Sequence, residues 1–328
     1  MAQRKMIETL SQNMIEAHGL KRTFRARGKN IEAVRGIDLT VAAGEIVGFL
    51  GPNGAGKTTT LKMLTTLLEP SDGEAIVAGC DLRRDPRGVR RRIGYVAQGG
   101  TTAGIARAGL EITSQAELFG LTPKQARQRG EELLSALDLE DVWDRKCESL
   151  SGGQRRRLDI VMGLIHRPQL VFLDEPSTGL DPQSRANLWH HIRKLRDQFG
   201  TTVFLTTHYM DEADSLSDRL LIIDHGVIVG EGTSAALKAR VSGDSLTFTL
   251  RDGEQAARAA DIANTLAGVA NIVTEANVLH YQIPKGAIVL PVYLRQLTQA
   301  GIEPIGAEIA RPTLDDVFLT LTGRTLRD

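Results

Sequence analysis

Two short segments of this chain carry side chains at spacings suited to handling phosphate. The first is GPNGAGKT, residues 51–58, which satisfies the pattern G-x-x-x-x-G-K-[ST]. Its glycines, Gly51, Gly54 and Gly56, let the backbone wrap closely around phosphate oxygens, and Asn53 and Ala55 complete the cradle. Amides near Gly54, Gly56 and Thr59 are expected to point at those oxygens, helped by a helix starting there. Lys57 suits the β- and γ-phosphates, and the Thr58 hydroxyl suits Mg²⁺. The second segment, residues 170–175, runs four apolar residues into Asp174 and Glu175. Two carboxylates at the end of a buried strand need a reason, because an unpaired buried charge is costly. Mg²⁺ gives Asp174 a partner, and Glu175 is placed to act as general base toward an attacking water. A glycine turn with a chance lysine, and a carboxylate that merely caps a strand end, are the plain alternatives. The first segment alone identifies a nucleotide binder and no more.

These residues need elements to hold them. EIVGFL before Gly51 reads as a short buried strand, and 58–68 has helical spacing. A glycine turn between strand and helix presents backbone N–H groups to a phosphate. Residues 14–24 and 31–41 are strand-like about a turn at 28–30, and IVAG and RIGYVAQ add short strands. Residues 111–140 read as helices, with Thr122-Pro123 starting one of them. LVFLDEP and TTVFLTTH are apolar strands on either side of a charged helix over 182–198, so the sheet is mostly parallel and the class α/β. LLIIDHGVIVGEG, with a turn at His225-Gly226, closes this part as a hairpin. From about residue 241 the order strand, helix, hairpin, helix, strand is that of a small ferredoxin-like α+β module. Three segments are therefore expected: a loose polar leader over 1–13, a nucleotide-binding domain over 14–240, and a C-terminal regulatory or dimerisation domain over 241–328.

A third segment narrows the family. LSGGQ, residues 150–154, sits between the two phosphate-handling segments, with small residues at an expected helix start. With it the chain resembles the nucleotide-binding domain of ABC transporters, whose signature is LSGGQ. The resemblance implies a P-loop ATPase domain with a helical subdomain, binding ATP and Mg²⁺. It implies that Ser151, Gly152, Gly153 and Gln154 bind the ATP of a second copy in a head-to-tail homodimer. Gln98, after IGYVA, matches the glutamine that senses Mg²⁺ and water near the membrane partner. Asp181, in STGLD, matches an aspartate reaching across the dimer. His208 matches the switch histidine on the γ-phosphate, although a lone strand-end histidine is more often structural. Phe24 aligns with the aromatic that stacks on adenine; a core phenylalanine is the alternative.

RPTLDDVFLTLTG, residues 311–323, resembles the C-terminal motif of daunorubicin-resistance-type export ATPases. Read without the family, Leu314, Val317, Phe318 and Leu321 form the stripe of a packed amphipathic helix. That group implies an exporter of a drug, antibiotic or other hydrophobic compound, working with a separate ABC-2-type membrane permease. In one respect the chain departs from the group: AGLEIT, with Glu111, replaces the TGRENL-like wording after Gln98, which leaves the cargo open.

The bulk numbers set limits. The 328 residues carry 40 basic and 40 acidic side chains, and this balance argues against a strongly electropositive nucleic-acid surface. Two isolated cysteines, Cys80 and Cys147, exclude a disulfide framework and suit a reducing compartment. No apolar run approaches the roughly 20 residues of a membrane helix, so a partner must cross any membrane the chain works at, and the resemblance implies a peripheral place on the cytoplasmic face. An importer ATPase, or a soluble ABC ATPase acting on DNA or ribosomes, is the rival reading. The latter usually carries a coiled-coil arm, zinc cysteines or a second cassette.

Overall fold

The computed structural model describes residues 13–26, 29–100, 102–241 and 243–323. Of the expected leader only Asn13 falls within these, and it opens the first strand. The chain divides into two compact units, at Ser234/Ala235.

In the first unit, β1 (Asn13–Ala26) and β2 (Lys29–Ala42) form a long antiparallel ribbon. With β4 (Asp72–Val77) and β5 (Cys80–Asp81) it makes a four-stranded sheet in the order β2-β1-β4-β5. The second sheet is β10-β9-β3-β8-β7-β6, built from β3 (Ile46–Leu50), β6 (Ile93–Val96), β7 (Leu170–Asp174), β8 (Thr202–Thr207), β9 (Arg219–Asp224) and β10 (Val227–Gly232). It is parallel except for the β9–β10 hairpin. Every residue of β3, β7 and β8 is buried, as a strand covered on both faces requires.

Their apolar runs nevertheless divide between two cores by the two-residue period of a strand. Phe49, Phe172 and Phe204 join the core beneath the antiparallel sheet, with ring centroids 5.5 and 5.6 Å apart across the strands. Ile46, Val171, Leu173, Val203 and Leu205 face the other way, into a core shared with the helices. Those helices are α3 (Ala108–Leu118), α4 (Pro123–Ala136), α5 (Gly152–Leu164) and α6 (Pro182–Phe199). Helices α1 (Lys57–Leu64), α2 (Pro86–Arg92), α7 (Met210–Leu216) and the short α8 (Ser234–Lys238) complete the series to this point.

The α/β class and the hairpin at His225-Gly226 are as expected from the sequence. Three details differ. The first helix ends at Leu64, four residues early, because Thr66 adopts a left-handed φ of 64° and Leu67 N turns back on Lys62 O at 2.9 Å. Helix α2 was not foreseen. It has a single buried residue, Val89, so it shows no apolar period; the Asp85 cap and Pro86 are its only signals. The strand expected over RIGYVAQ keeps only Ile93–Val96.

The second unit has the sheet order β12-β13-β11-β14, from β11 (Asp244–Thr249), β12 (Ala270–Glu275), β13 (Val278–Ile283) and β14 (Gly306–Ala310), all pairs antiparallel. With α9 (Gly253–Ala263) and α10 (Gly286–Gln299) this is the β-α-β-β-α-β order read from the sequence. Phe248, Tyr281 and Tyr293 pack edge and face in its centre, and the Tyr293 hydroxyl donates to Ala259 O at 2.7 Å. The last helix, α11 (Leu314–Thr322), begins with a capping box between Thr313 and Asp316. Leu314, Val317 and Phe318 of its stripe are buried, while Leu321 is 38% exposed.

Strand β6 and helix α5 meet without side chains between them. A Cβ on Gly94 would stand 2.2 Å from Gly163 O and 2.8 Å from Val171 Cγ2. Neither the carbonyl nor the packed valine can yield cheaply in a close-packed interior. Gly94→Ala is therefore expected to cost about 2 kcal/mol, read as a lower urea midpoint; an unchanged midpoint would show that this contact is loose.

Candidate functional site

The parallel strands end at one edge of the sheet, and their C-terminal ends bring the candidate residues together. Binding at the carboxyl ends of strands is the rule for open α/β sheets. The loop after β3 holds residues 51–56, β7 ends in Asp174 with Glu175 next, β8 leads to His208, and β6 leads to Gln98. β3, β8 and β7 are consecutive neighbours, so the loop and the carboxylates lie one strand apart.

The loop folds as a cradle because its glycines permit it. Gly54 and Gly56 have φ of 81° and 109°, and a Cβ on Gly56 would strike Ala33 O at 2.6 Å. Helix α1 starts directly behind, with its first amides facing the loop and no side chain capping them. A cleft of about 220 Å³ lies in front, lined by Ala33, Asn53, Gly54, Gly56, Lys57, Thr58, Thr59, Gln98 and Glu175.

Charge in this cleft is concentrated and dry. Lys57 is only 4% exposed; its ammonium donates to Gly51 O at 2.7 Å and Pro52 O at 3.0 Å, and stands 3.6 Å from Glu175 Oε1. Burial pushes the Lys57 ammonium below its usual pKa, and the facing Glu175 carboxylate opposes that. Glu175 receives Gln98 Nε2 at 2.9 Å and Thr178 Oγ1 at 3.1 Å on one oxygen. His208 Nδ1 lies 3.3 Å from the other. Asp174 Oδ1 accepts from Thr206 Oγ1 at 2.7 Å and Thr58 Oγ1 at 3.3 Å. A carboxylate and a hydroxyl converging from two elements are hard oxygen donors of the kind Mg²⁺ uses beside phosphate, so the residues fit that ion.

Not every expected residue joins this group. Ser151 caps α5 instead: its hydroxyl accepts from Gln154 N at 3.2 Å, and Gln154 Oε1 accepts from Ser151 N at 3.0 Å. Gly152 and Gly153 occupy the exposed first turn of that helix, and none of the four lines the cleft. Asp181 caps α6 through Ser184 N at 2.9 Å and Ser184 Oγ at 2.6 Å. Phe24, half-buried near the end of β1, lies under the Arg22 guanidinium, 4.8 Å from the ring centre, and is not among the lining residues. Glu111 accepts from Ala103 N at 3.2 Å.

Several neighbours escaped the sequence reading. Thr206 binds Asp174 and also accepts from Glu175 N at 3.0 Å; a hydroxyl inside an apolar strand was the available signal. Thr178 lay within a stretch read only for Asp181. Ala33 offered no signal, nor did Arg156, whose guanidinium donates to Asp174 O at 3.0 Å.

Glu212, in a segment that reads as an ordinary acidic surface helix, is wholly buried beside the site. It accepts from Trp189 Nε1 at 3.0 Å. Burial raises its pKa above the ordinary 4.5, against the lowering effect of Thr207, Ser177 and Trp189. The folded chain thus keeps a proton that the unfolded chain releases above pH 4.5. This group favours folding most below that pH, and its contribution falls as pH rises toward the folded value. Glu212→Gln, of the same shape but unable to titrate, should therefore gain stability relative to wild type between pH 5 and pH 8 in urea melts. An offset equal at both pH values would contradict this.

Residues 34–178 match the family model described as ABC transporter. The chain is 43% identical over 296 residues to the daunorubicin resistance ATP-binding protein DrrA3 of Streptomyces coeruleorubidus, covering 89% of this chain and 92% of that one. It is 39% identical to the daunorubicin/doxorubicin resistance ATP-binding protein DrrA of Streptomyces peucetius, covering 96% and 94%. The linearmycin resistance ATP-binding protein LnrL of Bacillus subtilis is 33% identical, covering 96% and 100%. Among solved structures, the dimeric post-hydrolysis state of the ATP-binding cassette MJ0796 bound to ADP and Pi superposes with a TM-score of 0.62. It is 25% identical and covers 67% of this chain and 98% of that one.

Proposed function

Since the chain belongs to the ABC transporter ATP-binding subunits of the daunorubicin-resistance group, and so hydrolyses ATP to drive export, we propose how its residues divide that work. Residues 51–59 cradle the triphosphate, with Lys57 on the β- and γ-phosphates. Glu175 is the general base: it draws the proton from a water as the water's oxygen attacks the γ-phosphorus and the bond to ADP breaks. Gln98 and His208 fix the Glu175 carboxylate and bound γ-phosphate relative to each other. Asp174 and Thr58 would hold Mg²⁺, which supplies charge neutralisation on the phosphate oxygens.

The placement of Ser151–Gln154 outside the cleft supports a head-to-tail homodimer, in which each ATP meets the first turn of α5 from the second copy. Helix-start amides suit a phosphate arriving from outside the chain. Asp181, exposed at the start of α6, reaches toward the partner, and Phe24 stacks on adenine beyond the phosphate cleft. The partner that crosses the membrane is a separate ABC-2-type permease, and the chain works at the cytoplasmic face of the membrane. Among the described residues no helix is long and apolar enough to cross a membrane. The names of the relatives support a drug, antibiotic or other hydrophobic compound as cargo.

One observation carries this reading: Glu175, 8% exposed, converges with Lys57, Gln98, Thr178 and His208 at the mouth of a phosphate cradle. Glu175→Gln should keep ATP binding within threefold while slowing hydrolysis by about a hundredfold or more, and light scattering should then detect an ATP-dependent dimer. Normal hydrolysis would remove Glu175 from the role, and a monomer at saturating ATP would remove the dimer. Lys57→Ala should instead weaken nucleotide binding itself, by at least about tenfold, in a fluorescence titration.

A further inference from the structure

The backbone that presents Glu175 is held where a side chain makes it unfavourable. Glu175 has φ of 44°, in the left-handed region, where the Cβ crowds the carbonyl. Such a residue stays put only when its neighbours over-determine it. On its amide side the determinant is β8: Glu175 N donates to Thr206 O at 3.1 Å and to Thr206 Oγ1 at 3.0 Å.

On the carbonyl side the determinant is one guanidinium. Arg156 Nη2 donates to Asp174 O at 3.0 Å and Nε donates to Pro176 O at 2.8 Å, the carbonyls immediately before and after Glu175. Its third donor, Nη1, meets Ala97 O at 2.6 Å, one residue before Gln98. The side chain is 7% exposed, and Asp159 and Asp174 compensate its charge. A buried charge gains little over an apolar side chain in stability alone. What arginine offers that methionine or lysine cannot is a rigid planar fork. Here the fork fits two carbonyls that flank one residue.

We infer that Arg156 is a positioning residue for hydrolysis. It grips the backbone on both sides of Glu175 and just ahead of Gln98, so the carboxylate and the amide meet at one point of the cleft. Arg156 lies two residues beyond Gln154 on α5. The helix whose first turn faces the second copy's nucleotide is thereby tied to the base of its own chain.

The test rests on the dimer proposed above and uses R156K, which keeps a charge near Asp159 but has no fork. In the homodimer kcat should fall at least about tenfold with KM within threefold, the signature of lost transition-state geometry. In mixed dimers, separated by two affinity tags, one chain carries E175Q, so only the other chain's Glu175 works. R156K placed in the chain that retains Glu175 should slow hydrolysis at least about tenfold more than R156K placed in the E175Q chain. Equal losses in the two arrangements would mark general damage to α5 and overturn the proposal. A larger loss from the E175Q chain would assign Arg156 to the second copy's nucleotide, and no loss in either would leave it without a role. Failure of E175Q to dimerise with ATP would count against the dimer, and the kcat against KM split of the R156K homomer would then decide on Arg156 alone. Should R156K not fold, R156Q, which keeps a neutral two-hydrogen donor, serves in both comparisons.

Discussion

An ammonium and a carboxylate face each other at 3.6 Å with almost no access to water: Lys57 is 4% exposed and Glu175 8%. Coulomb attraction grows as water leaves, but so does the cost of burying either charge, and removing one member of such a pair costs about 3–5 kcal/mol. The pair therefore holds only while both ends stay in register. Its two members sit at the ends of different loops, Lys57 opening α1 after β3 and Glu175 just beyond β7, with β8 between the two strands. Thr58, next to Lys57, donates to Asp174 at 3.3 Å and ties those two loops directly. Thr206, on the strand between, binds both Asp174 and the Glu175 amide.

Rigidity of this kind begins in the sheet. All five residues of β3, all five of β7 and all six of β8 are buried, so the strands cannot slide without moving side chains from one core to the other. The glycine contact between β6 and α5 extends the same restraint to the helix that begins with Ser151. Arg156 adds a polar tie between that helix and the loop at the end of β7. An electrostatic site that must not reorganise during reaction needs such backing, since preorganised dipoles act without a reorganisation cost.

The residues legible in the sequence are those whose chemistry requires a contiguous run. Gly54, Gly56, Lys57 and Thr58 line one cleft from a single turn and so are close in sequence; Asp174 and Glu175 are adjacent because one strand end presents both. Arg156 and Glu212 act across 18 and more positions, on the Asp174 carbonyl and on Trp189. Nothing in RRRLD or DEADS marks which charged side chain turns inward. The same limit governs the fold. Apolar strands showed themselves, whereas α2, with four arginines and one buried valine, had only its cap to reveal it. Helix α1 stops where Thr66 turns left-handed and Leu67 N bonds Lys62 O, a local backbone choice that the apolar period does not mark.

The C-terminal unit closes a core of its own around Phe248, Tyr281 and Tyr293, and that core shares no residue with the two of the ATP-binding unit. Two-state melting is a property of small single domains, and a chain divided into two compact units at Ser234/Ala235 need not share it. A single midpoint quoted for a chain of two units is therefore well defined only once both are shown to melt together.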